Sequence, residues 1–204
     1  TQCGYDPCFD TLVTASNGEV VALDNNQWEY YYFYDTDDQT VVSGEDYFGY
    51  SDGYVWGAEL HGAAYGNRIL VTGNYPAVYD ADSRSLIAFS EDIGTSAVAL
   101  SPDGSMVAIG TRILKDNGTS YVSHNTLPET PLSMAFSHDN NTLYVFLGGT
   151  DLRVYDVSVA GTVSQQSAVV LDAQPGIRAH MTLSPDGRTL FIAGDQNILV
   201  VPLQ

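Results

Sequence analysis

An all-β chain of about five four-stranded units is the fold class this sequence predicts, on three observations. First, a short phrase returns five times: an apolar strand, a tight Asx/Gly turn and a second apolar strand. The clearest copies are Ser101-Pro102-Asp103-Gly104 before Met106–Ile109 and Ser184-Pro185-Asp186-Gly187 before Leu190–Ala193. Weaker copies are Ser137-His138-Asp139-Asn140 before Leu143–Phe146, Tyr65-Gly66 before Ile69–Val71, and Asn17-Gly18 before Val20–Leu23. Second, the last turn residues (18, 66, 104, 140 and 187) are spaced by 48, 38, 36 and 47 positions, a period near that of a propeller blade. Third, helical i, i+3, i+4 apolar spacing is never sustained over a window of about 11 residues. The 14 Tyr and 19 Gly suit strands and turns.

The turn has a mechanical basis. Proline presets φ near −65° at its second position, Asp bonds the local backbone, and Gly supplies the positive φ that closes the hairpin. A second phrase keeps register with it: Tyr34-Asp35, Tyr79-Asp80 and Tyr155-Asp156 each end an apolar strand, 14 to 17 residues beyond the anchor. These residues, above all Leu152-Arg153-Val154-Tyr155-Asp156 and the two Ser-Pro-Asp-Gly turns, resemble the WD40-like and YVTN-type β-propeller repeats. The resemblance covers about residues 11–204 and is specific in blades three to five. It implies a superfold that carries many functions.

In chain order, residues 1–10 are expected to form a turn-rich arm, and 11–204 a single propeller domain. Blade one is expected near 11–15, 19–24, 28–35 and 39–43, its third strand holding the aromatic run Trp28–Tyr34. Residues 44–56 read as a Gly-, Asp- and Tyr-rich insertion that lengthens the first spacing. Blade two follows near 57–64, 68–73, 76–80 and 85–89. Blade three has 96–100, 105–110 and a poorly defined outer half around Ser120-Tyr121-Val122. Blade four reads most clearly, at 132–137, 142–148, 152–158 and 166–171. Blade five has 177–183, 189–193 and 197–203.

Blade five thus has three strands. Its third, carrying Ile198, Leu199, Val200, Val201, Pro202 and Leu203, is apolar and rich in β-branched residues. Such an edge is a template for another strand, and Pro202 blunts it only locally. The expectation is that the N-terminal arm or a neighbouring chain completes the blade. Gly4, Pro7 and a small Cys3–Cys8 loop suit a central strand poorly, and Thr11–Ala15 is needed by blade one, which favours a neighbouring chain.

The charge balance excludes whole classes of function. With 25 acidic against 7 basic residues, net −18, and Lys115 the only lysine, no basic patch for nucleic acid or an anionic bilayer can be assembled. No stretch approaches the ~20 apolar residues of a membrane helix. The opening at Thr1 is expected of a mature, secreted chain. Cys3 and Cys8 are close enough in sequence for Cα atoms at the ~4.4–6.8 Å of a bridge, which predicts a disulfide over two free thiols or a metal. Asn117-Gly118-Thr119 and Asn140-Asn141-Thr142 match the glycosylation acceptor, both at expected turns.

Candidate chemistry is sparse. Asp35, Asp37 and Asp38, and Asp80 with Asp82, offer hard oxygens to calcium, but turns select Asp for backbone reasons and that reading is preferred. His61 and His180 fall on inner strands, where a lactonase-like hydrolytic centre would sit; no repeated inward polar position supports one. No cofactor fingerprint is present. Tyr47, Phe48, Tyr50, Tyr54 and Trp56 form a candidate contact loop for a glycan or protein. The expectation is a non-catalytic, extracellular, self-associating structural subunit, able to form a head-to-tail filament by strand completion. The alternatives are a monomeric glycan- or protein-binding module and, third, a propeller hydrolase.

Overall fold

In the computed structural model, residues 9–16, 18, 20–24, 31–42, 60–71, 76–83, 85–89, 97–176 and 179–203 are described. All regular structure among them is β. Nineteen strands form five antiparallel sheets, each a meander of consecutive strands. Sheet one is β1 (Phe9–Thr14), β2 (Val20–Asp24), β3 (Tyr31–Asp35) and β4 (Thr40–Val42); sheet two is β5 (Leu60–Gly62), β6 (Arg68–Val71), β7 (Ala77–Asp80) and β8 (Leu86–Phe89). Sheet three is β9 (Val98–Leu100), β10 (Met106–Ile109), β11 (Arg112–Asp116) and β12 (Tyr121–Thr126). Sheet four is β13 (Ser133–Phe136), β14 (Thr142–Gly148), β15 (Asp151–Asp156) and β16 (Ser164–Val170), and sheet five is β17 (His180–Leu183), β18 (Thr189–Ala193) and β19 (Ile198–Pro202). Four sheets therefore have the four strands of a propeller blade.

The chain divides into two compact units, Thr1–Gly94 with sheets one and two, and Thr95–Gln204 with sheets three to five. In each unit the first strands of successive sheets lie side by side: β1 beside β5, and β13 between β9 and β17. The sheets thus stack face to face, and the core fills the spaces between them. In the first unit Phe33, Leu60, Ile69, Val71 and Tyr79 share one cluster, with the Phe33 and Tyr79 rings edge to face at 5.8 Å.

Sheet four shows how the period-two geometry of a strand feeds two cores at once. Met134, Phe136, Leu143, Val145 and Tyr155 join Met106, Ala108 and Ile113 of sheet three. The alternate residues Ala135, Phe146 and Leu152 join Leu190 and Ile192 of sheet five. Burial on both faces explains the continuous apolar runs that identify these strands in the sequence. Leu143, Phe146, Leu152, Leu190 and Ile192 have no exposed surface, and each such side chain contributes about 1.5–3 kcal/mol of burial.

The five anchors occupy equivalent hairpins, each between the first and second strand of its sheet. Gly18, Gly104, Asn140 and Gly187 are in the left-handed region, at φ 87°, 73°, 62° and 69°. Gly66 is not: its turn, Ala63–Arg68, has the same length, but its Asx, Asn67, follows the glycine, and Tyr65 stands where the other turns place Asn or Asp. In sheets three to five the turn is also a side-chain clamp. Ser101 Oγ accepts the Met106 amide at 2.8 Å and donates to Asp103, whose carboxylate accepts the Ser105 amide at 2.8 Å. Ser137 does the same with the Thr142 amide at 3.0 Å and Asp139, and Ser184 with the Thr189 amide at 2.9 Å and Asp186. Ala15 and Ala63 hold this position in sheets one and two, where the clamp is absent.

The poorly defined outer half of blade three proves to be a tight hairpin. Asp116 ends β11 as Asp35, Asp80 and Asp156 end their strands, accepting the Gly118 amide at 2.7 Å. Sheets two, three and four also share a bulge between their third and fourth strands, at Val78/Tyr79, Ile113/Leu114 and Val154/Tyr155. A polar clasp ties sheets three and four: His124 Nε2 and Asn125 Nδ2 both donate to the Val157 carbonyl, at 2.9 and 3.0 Å. A carbonyl only accepts, so the His124 proton sits on Nε2.

Two consequences of the clamp are measurable. Ser101 is fully buried and Ser184 only partly so. Ser101→Ala, which orphans a buried amide, therefore costs about 1–3 kcal/mol in urea unfolding, and Ser184→Ala about 1 kcal/mol; equal losses would contradict this. The Ser137 hydroxyl, against the opposing effect of partial burial, holds the Asp139 carboxyl below the usual carboxylate range. The Ser184 hydroxyl does so for Asp186, and the Ser158 hydroxyl for Asp156. In acid the unfolded state binds more protons than the native state. The stabilisation is complete above the unfolded pKa of ~3.9 and is lost as pH falls through the depressed native values. The thermal midpoint should fall below about pH 4, and should fall less steeply in Asp139→Asn/Asp186→Asn; a midpoint still rising at lower pH would refute this.

Candidate functional site

The site of greatest interest is β19. It pairs with β18 through Thr189↔Pro202, Leu190↔Val201, Phe191↔Val200, Ile192↔Leu199 and Ala193↔Ile198, and among the described residues no strand lies on its other side. The Leu203 amide closes the pairing on the Arg188 carbonyl at 2.7 Å, as Val157 does on Asn141 in sheet four at 2.9 Å. That correspondence sets β19 on β15, the third strand of sheet four.

The two strands have matching positions and different surroundings. Leu152 of β15 is fully buried; its counterpart Ile198 is 70% exposed. Val200 is 62% exposed, whereas Leu199, Val201 and Leu203 pack against the core shared with sheet four. Sheet four is flanked by β16, which is polar (Ser164-Gln165-Gln166-Ser167) and mostly exposed, as an outermost strand should be. β19 has the composition of an interior strand at an edge position.

The other candidates separate clearly. Cys3 and Cys8, and the loop Tyr47, Phe48, Tyr50, Tyr54 and Trp56, lie outside the described residues. Of the acidic clusters, Asp35 accepts the amides of Asp37 and Asp38 at 3.0 and 3.1 Å. Asp80 is partly desolvated, yet the Ser83 amide and hydroxyl and the Arg68 guanidinium outweigh that and keep its carboxyl below the usual range. Asp82 bonds Asn67. These carboxylates serve the turn geometry that selects Asp. Among the described residues no three His, Cys, Asp or Glu side chains are grouped to share an ion. His61 is on β5 and His180 on β17, both first strands as expected, half-buried and exposed respectively.

The two glycosylation triplets also differ. Asn117 is exposed at the tip of the β11–β12 hairpin. Asn140 is half-buried, and its Oδ1 accepts the Asp103 amide of the neighbouring sheet at 3.3 Å. The contact belongs to a row of turn-to-turn contacts that the sequence did not reveal. Ser16 Oγ donates to Asn67 between sheets one and two, and the His138 ring lies against Gly187 between sheets four and five, 3.2 Å from where a Cβ would stand. The signal was present in the repeated turn, but which turn side chain reaches across depends on sheet stacking.

Comparison with known proteins places the architecture. No family model and no curated protein matches the chain. Many solved structures do. A complex of KlAtg21 with the coiled-coil of AgAtg16 aligns over 98% of this chain and 67% of that one, at TM-score 0.67 and 16% identity. A mitotic checkpoint complex aligns over 98% and 76%, at TM-score 0.57 and 18% identity. Hydrazine synthase of Kuenenia stuttgartiensis aligns over 74% at TM-score 0.53 and 16% identity, and the chain spans about half, 49%, of that protein's length. At these identities the likeness speaks to fold alone: the chain has an all-β propeller fold.

Proposed function

We propose that the protein is a non-catalytic, extracellular structural subunit that associates with copies of itself, its fifth sheet taking a fourth strand from a second copy. One observation carries the reading: β19 is an apolar strand, built like the interior strand β15, with a single strand neighbour among the described residues and with Ile198 and Val200 exposed. In strand addition, main-chain bonds supply affinity and alternate side chains supply register. A contact whose donor and acceptor surfaces differ continues head to tail, which extends the proposal to a filament. Sheet five then counts as a fifth blade, completed from outside β17–β19. The composition of residues 1–8, with Gly4 and Pro7, argues against completion by the chain's own arm.

The acidic surface bears on the same contact. Copies carrying net −18 repel, and salt screens that repulsion, so association strengthens with ionic strength. A second reading, a module that binds a glycan or another protein, has support from two of the structural neighbours, whose structures are complexes with protein partners. The engagement of Asp35, Asp80, Asp139 and Asp186 in turn backbone, and of His124 in a sheet-to-sheet clasp, favours either reading over a hydrolase.

Light scattering across a range of protein and salt concentrations tests the proposal. The expected result is a mass that grows with both, and a monomer for Val200→Lys with an unchanged thermal midpoint, because Val200 is largely exposed. A wild-type chain that stays monomeric at every concentration would overturn it and leave the binding module.

A further inference from the structure

Two asparagines satisfy the glycosylation triplet, and the structure gives them opposite surroundings. Asn117 begins the four-residue connection between β11 and β12. Its Oδ1 accepts the Thr119 amide at 3.0 Å, the Thr119 hydroxyl at 2.9 Å and the Ser120 amide at 3.0 Å. Its own amide donates to the Ser120 carbonyl at 3.0 Å, so the loop is closed by the asparagine that would be modified. All acceptor capacity of the carboxamide is thereby turned inward, while Nδ2 makes no hydrogen bond among the described residues. Asn117, Gly118 and Thr119 are all exposed, and a Cβ placed on Gly118 would meet nothing within 4 Å. The approach to Nδ2 is open.

Asn140 has none of these properties. It is held at φ 62° by the hairpin, with its amide on the Ser137 carbonyl at 3.1 Å. Its Oδ1 is used by Asp103 of the neighbouring sheet, so the carboxamide points at another turn. Thr142, the third residue of the triplet, has already entered β14, where it pairs with Asp156 and its amide bonds Ser137 Oγ. Hydroxyl and carboxamide are not joined, and a sugar at Nδ2 would have to fit between two turns in contact.

We propose that Asn117 is an N-glycosylation site of this protein and that Asn140 is not. The Thr119 hydroxyl, bonded to Asn117 Oδ1, polarises the carboxamide and makes its Nδ2 protons more acidic, which readies one of them to pass to base during transfer. The donor is an oligosaccharide carried on a polyprenyl diphosphate. Nδ2 forms a bond to the anomeric carbon, the carbon–oxygen bond to the diphosphate breaks with its electron pair leaving on the lipid diphosphate, and one Nδ2 proton passes to base. Nothing is oxidised or reduced. Because a glycan at Asn140 would separate the turns of sheets three and four, chains modified there fold poorly and are not secreted. The reading rests on the extracellular part of the proposed function and not on self-association.

The experiment is to secrete the full chain from yeast and map its glycopeptides. Enzymatic release of the glycan, which converts the modified Asn to Asp, marks the site. The expected result is one glycan, at Asn117 and absent from Asn140, lost in Thr119→Ala, kept in Thr119→Ser and kept in Asn140→Gln. Thr119→Ala changes no buried group, so its loss of glycan is separable from misfolding. Secreted protein bearing a glycan at Asn140, or bearing none, would overturn the inference. Neither outcome touches the light-scattering test of association.

Discussion

A sheet that is apolar on both faces persists in water only with a neighbour on each side, and the architecture of this chain follows from that constraint. Sheet four meets it in full. Met134, Phe136, Leu143 and Val145 face sheet three, and Ala135, Phe146 and Leu152 face sheet five. Sheet five meets it by half. Leu190, Ile192, Leu199 and Val201 are covered by sheet four, while Ile198 and Val200 on the opposite face are not. The strand that carries them also has one free flank among the described residues. Burial on two faces and pairing on two edges are separate requirements, and β19 leaves part of each open. Apolar burial at roughly 25 cal/mol per Å² gives an occupant of that site a driving force that a polar edge such as β16 does not offer.

The hairpin turns keep the sheets at the right spacing. In sheets three to five one serine hydroxyl bonds the amide five residues on and orients an Asp that in turn holds the next amide. The turn is rigid enough for its side chains to reach the neighbouring turn, as Asn140 reaches Asp103 and His138 meets Gly187. Some of the acidic residues that give the chain its extreme charge, among them Asp35, Asp80, Asp103, Asp116, Asp139, Asp156 and Asp186, thus also bend its backbone. The carboxylates of Asp139, Asp156 and Asp186 are held low chiefly by a local hydroxyl and amide rather than by a cation, which helps a chain with seven basic residues carry 25 acidic ones.

Much of this was legible before the structure because proline, Asx and glycine act locally. The Ser-Pro-Asp-Gly turns, the Tyr-Asp strand ends and the three strands of blade five all follow from short-range chemistry. Asp116 was missed because Lys115 precedes it where tyrosine stands in the other copies, and a single exposed lysine hides the register. β12 was blurred because only Tyr121, His124 and Asn125 along it are buried, a pattern without clean alternation. The role of His124 and Asn125 depends on the Val157 carbonyl of another sheet, which no local pattern encodes. The difference between Asn117 and Asn140 is likewise a matter of what lies across the turn, which no triplet encodes.

The account turns on β19 having a second strand neighbour supplied by another copy. Alternate amides of a strand point to its two sides, so residue-resolved hydrogen exchange over Ile198–Val201 reads each side separately. The account predicts that in concentrated native protein both sets are protected as strongly as Leu190–Ile192 of β18, and that dilution releases the outward set alone. Outward amides that exchange as an open edge at every concentration, or protection that dilution does not alter, would contradict it.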